Sequence, residues 1–266
     1  MEKKDQKEIK KTIRKTYSKI ALQENTNESG SSSCCAPGCC SGGGGDSPAQ
    51  AATVVGYETN ELESVPPASI LGVGCGAPVK FANLQKGETV VDLGSGGGID
   101  VFLSANKVTK VGRVIGIDMT DEMLGRARRN AEQGGYTNVD FRKRDIEKRI
   151  PVDDDSADVV ISNCVLNLTM DKVNAFKEIH RILKHSGRMV ISDLITDAEI
   201  APIHANLEKW CNCIDGALTK EHYIDSIRQA GFENVEVLSE QLYTEDPNQL
   251  DGKRKKISSV VIKAVK

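Results

Sequence analysis

The feature of this sequence that most restricts its fold is a glycine-rich turn after a short apolar run. Thr89–Leu93 (TVVDL) is β-branched and apolar, which is typical of a strand buried on both faces. A helical pattern over Ile99–Asn106 follows after glycines at positions 94, 96, 97 and 98. Glycines allow a sharp turn and close approach of a ligand, and the free N–H groups of the next helix attract negative groups. The stretch therefore predicts a strand, a tight turn and a helix that bind a ligand.

The spacing of polar residues around this turn indicates the kind of ligand. A dinucleotide-binding turn would carry a third glycine at position 99, where this chain has Ile99. Asp92 lies just before the turn and suits an ammonium group better than a pyrophosphate. The next predicted strand, Arg113–Ile117, ends at Asp118, where a carboxylate can accept hydrogen bonds from two ribose hydroxyls. The pattern therefore favours an amino acid joined to a nucleoside.

The motifs VVDLGSGGG and VIGID at this spacing resemble the S-adenosylmethionine-dependent methyltransferases with a Rossmann-like fold. The resemblance implies S-adenosylmethionine as the cofactor, with the glycine loop at its methionyl end and Asp118 at its ribose. It also places Asp145 and Ile146 at the adenine, although a solvated turn is the alternative for Asp145. The implied cofactor-binding residues are Asp92, Gly94, Ser95, Gly96, Gly98, Asp118, Met119, Asp145, Ile146 and Asn163.

Composition narrows the range of partners. The 266 residues carry a net charge of −3, which gives no electrostatic footprint for nucleic acid or a membrane. Aromatic residues make up only 4%, so a base-stacking surface is not expected either. The sequence shows neither a membrane-spanning run nor a secretory signal. We therefore expect a cytoplasmic, monomeric protein that acts on small molecules.

The organisation along the chain predicts one α/β domain with additions. An amphipathic helix is expected over Asp5–Ala21, within an N-terminal unit of residues 1–24. A flexible segment of Gly, Ser and Cys follows over 25–50, and the methyltransferase domain over 51–266. Its sheet should have seven mostly parallel strands flanked by helices, with an insertion at about 196–219 after the fifth strand that could cover a substrate. The charged stretch Gln241–Lys256 is predicted to be a loop between the last two strands.

Eight cysteines require an explanation in a cytoplasmic protein, because disulfides rarely persist there. The flexible segment carries two vicinal pairs, which could be incidental, could bind zinc, or could capture a soft ion; we favour capture. Cys164 lies at the carboxyl end of the predicted fourth strand. Ligands of open α/β sheets bind beyond these strand ends. The N-terminal set is Cys34, Cys35, Cys39 and Cys40, and the second set is Cys75, Cys164, Cys211 and Cys213.

The motifs GCGAP, SNCVLNL and CIDGAL, in this order around the glycine loop, resemble the arsenite S-adenosylmethionine methyltransferases over nearly the whole chain. The resemblance implies that Cys75, Cys164 and Cys213 hold trivalent arsenic. Cys211 is an addition to the family pattern, so whether it or Cys213 is the ligand stays open, with Cys213 favoured. For Cys75 alone, a small buried apolar residue is the alternative.

The predicted function is therefore methylation of arsenite, or of its thiol conjugates, for arsenic detoxification. Thiolates suit soft trivalent arsenic, and its lone pair would attack the cofactor's methyl carbon in line. The resemblance also implies thioredoxin or glutathione as the reductant, and the N-terminal cysteines as a first capture site. Two alternatives stay open: a methyltransferase for a small organic acceptor with structural cysteines, and a thiol-rich protein that sequesters metalloid or zinc.

Overall fold

The computed structural model describes residues 3–23, 47–199, 206–250 and 253–266. In this part of the chain the strands are β1 (Thr89–Leu93), β2 (Arg113–Asp118), β3 (Val139–Lys143), β4 (Ala157–Asn163), β5 (Leu183–Thr196), β6 (Asn234–Leu250) and β7 (Lys253–Val265). They form a single sheet in the order β3-β2-β1-β4-β5-β7-β6. The first five are parallel, and β7 runs antiparallel to β5 and β6. The predicted mostly parallel, seven-stranded sheet is confirmed.

The centre of the sheet is buried on both faces, as its apolar sequence predicts. Val91 of β1 pairs with Ile115 of β2 on one side and with Val160 of β4 on the other. Neighbouring side chains of a strand point to opposite faces, so Val90 and Val91 belong to two different apolar clusters. Both are fully buried. This core fixes the position of the glycine turn that follows β1.

Helices cover the two faces of the sheet. The cluster around Val90 includes Phe102 and Leu124, and the cluster around Val91 includes Phe176 and Tyr223. The helices in the described ranges are α1 (Lys3–Leu22), α2 (Pro48–Val54), α3 (Thr59–Glu63), α4 (Pro78–Phe81), α5 (Ile99–Val108), α6 (Asp121–Gln133), α7 (Lys172–Ile182), α8 (Leu207–Cys211) and α9 (Lys220–Gln229). Thus α5 and α6 pack on one face, and α7 and α9 on the other.

Two predicted boundaries were wrong. The segment expected to be flexible up to residue 50 already becomes helical at Pro48, because Ser47 and Gln50 form a reciprocal capping box. The loop expected over Gln241–Lys256 is largely a β-hairpin, since β6 continues to Leu250. Charged side chains do not prevent this, because a strand ladder is built from backbone hydrogen bonds. The N-terminal cysteines Cys34, Cys35, Cys39 and Cys40 lie outside the described residues.

The predicted amphipathic N-terminal helix is confirmed as α1. Its buried residues Ile9 and Ile13 pack with Trp210 and Cys211 of α8. Arg126 of α6 donates hydrogen bonds to the carbonyl oxygens of Ala21 and Gln23, at 3.1 and 2.7 Å. The helix therefore joins α6, beside the glycine turn, to the insertion after β5. Within the described ranges, the helices are all too short or too polar to cross a bilayer.

Candidate functional site

Three cysteines from distant parts of the sequence meet beyond the carboxyl ends of the strands. Cys75, Cys164 and Cys213 belong to one buried cluster and are between 1% and 8% exposed. The Sγ atoms of Cys75 and Cys164 and a carboxylate oxygen of Asp193 lie within 4.8 Å of one another. The Cys213 thiol donates a hydrogen bond of 3.0 Å to the Cys164 carbonyl oxygen. The structure thus brings the three predicted thiols together.

Two of these cysteines have an unusual backbone conformation. Cys164 and Cys213 have φ values of 57° and 62°, in the left-handed region that ordinary side chains seldom adopt. The Cys164 N–H is held by the Ser192 carbonyl oxygen at 2.8 Å, and the Cys213 N–H by that of Trp210 at 2.9 Å. Such strain is concentrated at functional sites, where surrounding contacts maintain it. Here it turns both thiols out of the regular elements into the shared cluster.

The loop that carries Cys75 is held by residues of β4, β5 and β7. The Asn163 side chain accepts a hydrogen bond from the Cys75 N–H at 3.1 Å and donates one to the Gly76 carbonyl oxygen at 2.6 Å. Ser259 donates to the Cys75 carbonyl oxygen at 2.6 Å. A Cβ at Gly76 would lie 2.0 Å from the Ser192 hydroxyl oxygen, so only glycine allows this approach. The flanking glycines therefore permit close packing against the sheet edge.

Cys211 lies outside this group of thiols. It is buried between α8 and α1, where Thr16 and Tyr17 contact its sulfur and its carbonyl oxygen, respectively. Of the two candidates, Cys213 contacts Cys164, whereas Cys211 packs between the insertion and the N-terminal helix.

The thiols of Cys75 and Cys164 favour their protonated form. The pKa of Cys164 is raised well above its ordinary value by hydrogen bonds with the Cys213 and Cys75 thiols and also by burial. Burial likewise raises the pKa of Cys75. A soft ion that binds here must therefore displace thiol protons.

A cavity of about 770 Å³, partly open to solvent, lies next to Cys164. We call it the α1 cavity, because Lys10, Ile13 and Tyr17 of α1 form one of its walls. The opposite wall contains predicted cofactor residues from the ends of β1 to β4. These are Gly94, Gly96, Asp118, Met119, Asp145, Ile146 and Asn163.

A second cavity, of about 550 Å³, shares Gly94, Gly96 and Asn163 with the first and is lined by Tyr57, Asp92 and Ser95. We call it the Tyr57 cavity. The Ser95 hydroxyl is buried, and no described residue offers it a hydrogen-bond partner. The pKa of Asp92 is raised well above its ordinary value by burial and by the nearby Asp100 and Asp118. A ligand with hydrogen-bonding groups would give the Ser95 hydroxyl a partner, and a positive charge on it would stabilise the ionised Asp92. The methionyl end of S-adenosylmethionine has both properties.

One predicted cofactor residue has a different position. Gly98 lines neither of the two cavities described above; it precedes α5 with φ of 99°, and a Cβ there would lie 2.6 Å from the Phe102 ring. Gly98 is therefore required by the turn itself.

The solvated turn considered for Asp145 is not found, since the Asp145 side chain is only 10% exposed and forms an ion pair with Lys10 at 2.7 Å.

Sequence reasoning gave no role to Asp193, Tyr57 or Asp100. Asp193 lies near the carboxyl end of β5, and the argument that placed Cys164 at a strand end extends to it. Tyr57 and Asp100 are joined by hydrogen bonds of 2.9 Å, and Asn163 donates to the Tyr57 hydroxyl at 2.8 Å. The sequence offered no signal for this network, because residues 57, 100 and 163 meet only in the folded chain.

The pKa of Asp100 gives a testable pH dependence. Burial raises this pKa from 3.8 to about 6. In the unfolded chain Asp100 releases its proton near pH 4. Between about pH 4 and 6 the folded protein therefore binds more protons than the unfolded chain does. Its free energy of unfolding should fall as pH rises through this range. In Asp100→Asn this fall should be smaller. Urea denaturation at pH 4.5 and 6.5 measures the change in the free energy of unfolding. An equal change in the wild type and in Asp100→Asn would contradict the raised pKa of Asp100.

Lys10 is expected to hold α1 over the cavity. It pairs with both Asp145 and Glu147. A half-buried pair of this kind contributes about 1 kcal/mol, so Lys10→Ala should make amide hydrogen exchange in α1 about fivefold faster. Lys11→Ala, at an exposed position of the same helix, serves as the control and should leave exchange unchanged. The same exchange rate in both variants would show that the ion pairs do not hold the helix.

The sheet order and the strand-end cleft define a class I methyltransferase, the S-adenosylmethionine-dependent class that the sequence predicts. The model of the methyltransferase domain family matches residues 84–236. The chain belongs to this family.

Several relatives carry a more specific name. The chain is 37% identical to an arsenite methyltransferase of Halobacterium salinarum over 94% of its own length and 64% of that protein. It is 32% identical to an arsenite methyltransferase of Mus musculus over 67% of its length and 50% of that protein. A crystal structure of an arsenic(III) S-adenosylmethionine methyltransferase from Chlamydomonas reinhardtii is 28% identical, with a TM-score of 0.62, covering 81% of this chain and 73% of that one.

These relatives confirm the resemblance to arsenite methyltransferases that the sequence motifs indicate. The chain spans between half and two thirds of the length of the two curated relatives above. Their named activity therefore applies to longer proteins, and its transfer to this chain is a proposal.

Proposed function

We propose that this chain methylates trivalent arsenic with S-adenosylmethionine as the methyl donor, in arsenic detoxification. The observation that carries the proposal is the convergence of Cys75, Cys164 and Cys213 beside the α1 cavity. A purely structural role would not require three free cysteines from distant parts of the chain to meet next to a cofactor cleft. The names of the relatives support the same assignment.

The residues around the two cavities suit the proposed cofactor. Asp92 and Ser95 would bind its methionyl end, Asp118 its ribose, and Asp145 with Ile146 its adenine. Asp92 and Asp100 are buried and Asp118 is partly buried, and these three acids favour a cationic ligand over an anionic one. When bound, S-adenosylmethionine supplies a methyl group on a positively charged sulfur. The dinucleotide alternative is disfavoured by the same acids.

The three thiols would select the substrate and expose its lone pair. Trivalent arsenic prefers sulfur ligands to oxygen ligands, so the cysteines would replace the oxygens of arsenite, and each thiol proton would leave with an oxygen as water. Three sulfur ligands leave the arsenic lone pair free to act as the nucleophile. No general base is then required. The fixed backbone of Cys164 and Cys213 would supply part of the orientation that accelerates such transfers.

The proposal includes two further steps, the reduction of arsenic after methylation and its first capture by the N-terminal cysteines. Methylation converts arsenic formally to the pentavalent state, and cysteine pairs could return two electrons by forming a disulfide that thioredoxin or glutathione then reduces. Cys34, Cys35, Cys39 and Cys40 would first capture arsenite or its thiol conjugates.

The test is transfer of isotopically labelled methyl groups from S-adenosylmethionine to arsenite in the presence of a thiol reductant. Chromatography should separate labelled methylarsenicals from the substrate. If the cofactor binds and no label reaches arsenic, the arsenic assignment is wrong and an organic acceptor becomes the better candidate. If the cofactor does not bind at all, the chain is better described as a thiol-rich sequestration protein.

A further inference from the structure

The cluster around Cys75 contains a fourth potential ligand atom that arsenic chemistry does not use. Asp193 lies near the end of β5, is 1% exposed, and has a carboxylate oxygen within 4.8 Å of the Sγ atoms of Cys75 and Cys164. Trivalent arsenic is satisfied by three sulfurs and a lone pair, so the proposed substrate gives this carboxylate no role as a ligand.

We propose that the site also binds a thiophilic divalent cation with a filled d shell, Zn²⁺ or Cd²⁺, through Cys75, Cys164 and Asp193, with Cys213 as the fourth ligand. Such cations take four ligands in a tetrahedron, with sulfur at about 2.3 Å and carboxylate oxygen at about 2.0–2.2 Å for zinc. Ligand atoms around one such ion are therefore about 3.5 to 4 Å apart. The ligand atoms of Cys75, Cys164 and Asp193 lie within 4.8 Å of one another, so these three residues need only small side-chain adjustments to reach that spacing.

The carboxylate is already oriented towards this role. Asp193 accepts hydrogen bonds from the Leu194 N–H at 2.9 Å, the Asn167 N–H at 3.0 Å and the Tyr223 hydroxyl at 3.0 Å. These bonds fix the carboxylate group and leave it lone pairs, since two carboxylate oxygens offer about four acceptor positions. Hydrogen-bonded carboxylates are the usual form of such metal ligands.

Charge at the site also favours a divalent cation. Asp193 adds a carboxylate beside the thiols inside the protein. Bound as three thiolates and one carboxylate, the four ligands would carry four negative charges, which more than compensate the two positive charges of the cation. Neutral arsenite, which three thiols satisfy, needs no carboxylate.

Binding of such a cation would have a functional consequence, which rests on the proposed function. Zn²⁺ and Cd²⁺ have no lone pair to accept a methyl group, so the occupied site would be inactive. The same thiols would then serve arsenic or a divalent cation, but not both at once.

The experiment uses the full-length chain with Cys34, Cys35, Cys39 and Cys40 replaced by serine, so that the N-terminal thiols do not bind the probe. Cd²⁺ is titrated while the ultraviolet absorbance of cadmium–thiolate bonds is recorded, and arsenite affinity is measured separately. In this background, Asp193→Asn should weaken Cd²⁺ binding at least about tenfold and leave arsenite affinity within about threefold. Asp197→Asn is the control: it removes an exposed carboxylate just after β5, outside the cluster, and should bind Cd²⁺ as the parent does.

A second measurement does not depend on the folding of Asp193→Asn. X-ray absorption of the Cd²⁺-loaded parent should show oxygen together with sulfur around the metal. Sulfur-only coordination, or unchanged Cd²⁺ affinity in a folded Asp193→Asn, would overturn the proposal. If arsenite binds but Cd²⁺ does not, only this inference fails; if arsenite does not bind either, the proposed function fails with it.

Discussion

Replacing Cys164 with serine is expected to abolish arsenite methylation, with a loss of at least about 100-fold in rate. Cys164 is the central residue of the thiol cluster, since its thiol neighbours that of Cys75 and its carbonyl oxygen accepts from Cys213. Serine keeps the shape but replaces sulfur by oxygen, a ligand that trivalent arsenic holds less strongly. The remaining two thiols would leave the substrate misplaced by an ångström or more, which alone can cost about 100-fold.

Cys211→Ser is the matched control for this prediction. Cys211 is also buried and only two positions from Cys213, but it packs against α1 instead of joining the cluster. We expect it to retain methylation within a few-fold. Binding of S-adenosylmethionine, measured by calorimetry, should be preserved in both variants, since neither substitution removes a group assigned to the cofactor. Equal activity of the Cys164 variant and the wild type would rule out arsenic ligation by this cluster.

The substitution Gly216→Ala is expected to damage both stability and arsenite binding. A Cβ at position 216 would lie 2.0 Å from the carbonyl oxygen of Asn167, a backbone atom in a fully buried segment. That segment cannot easily move, because Asn167 is held by hydrogen bonds to Asp193 and Leu194. The insertion must therefore shift away, which displaces Cys213 from Cys164.

Overpacking of this kind costs about 1–3 kcal/mol or more, which lowers the melting temperature by roughly 2–4 °C for each kcal/mol in a chain of this size. Gly125→Ala is the control, because the nearest atom to its added Cβ belongs to the flexible Arg129 side chain, at 3.5 Å. In the helix α6, that change should leave the protein equally stable or stabilise it by up to about 1 kcal/mol. Calorimetry measures the melting temperature of the two variants, and titration measures their arsenite affinity. If Gly216→Ala matched Gly125→Ala in both, the close contact between Gly216 and Asn167 would be contradicted.

Much of the fold and the site could be predicted because the evidence for them is local. Strand β1 and its glycine turn are continuous in sequence, and Asp118 and Cys164 follow the ends of predicted strands. In a parallel sheet these ends meet at one edge. The cluster of Cys75, Cys164 and Cys213 could also be proposed, because their motifs resemble those of a known family in the same order.

The parts that were missed depend on contacts between distant residues. Asp193 gains meaning only from its distance to two thiols, and Lys10 only from lying over the cavity beside Asp145. Gly98 was predicted at the cofactor because all glycines of the turn look alike in sequence, and only the fold shows that a Cβ there would meet the Phe102 ring. The two final strands were predicted, but their extension through Gln241–Lys256 was missed, because the charge pattern there resembles a loop and backbone pairing leaves no signal of its own.

The most direct test of the central claim is X-ray absorption at the arsenic edge on arsenite-loaded protein. Serine should replace Cys34, Cys35, Cys39, Cys40 and Cys211, so that only Cys75, Cys164 and Cys213 are left to bind. Three sulfur neighbours and no oxygen around arsenic are the predicted result. Arsenic with one or no sulfur neighbour, or protein that retains no arsenic, would contradict the assignment of these three cysteines as the substrate site.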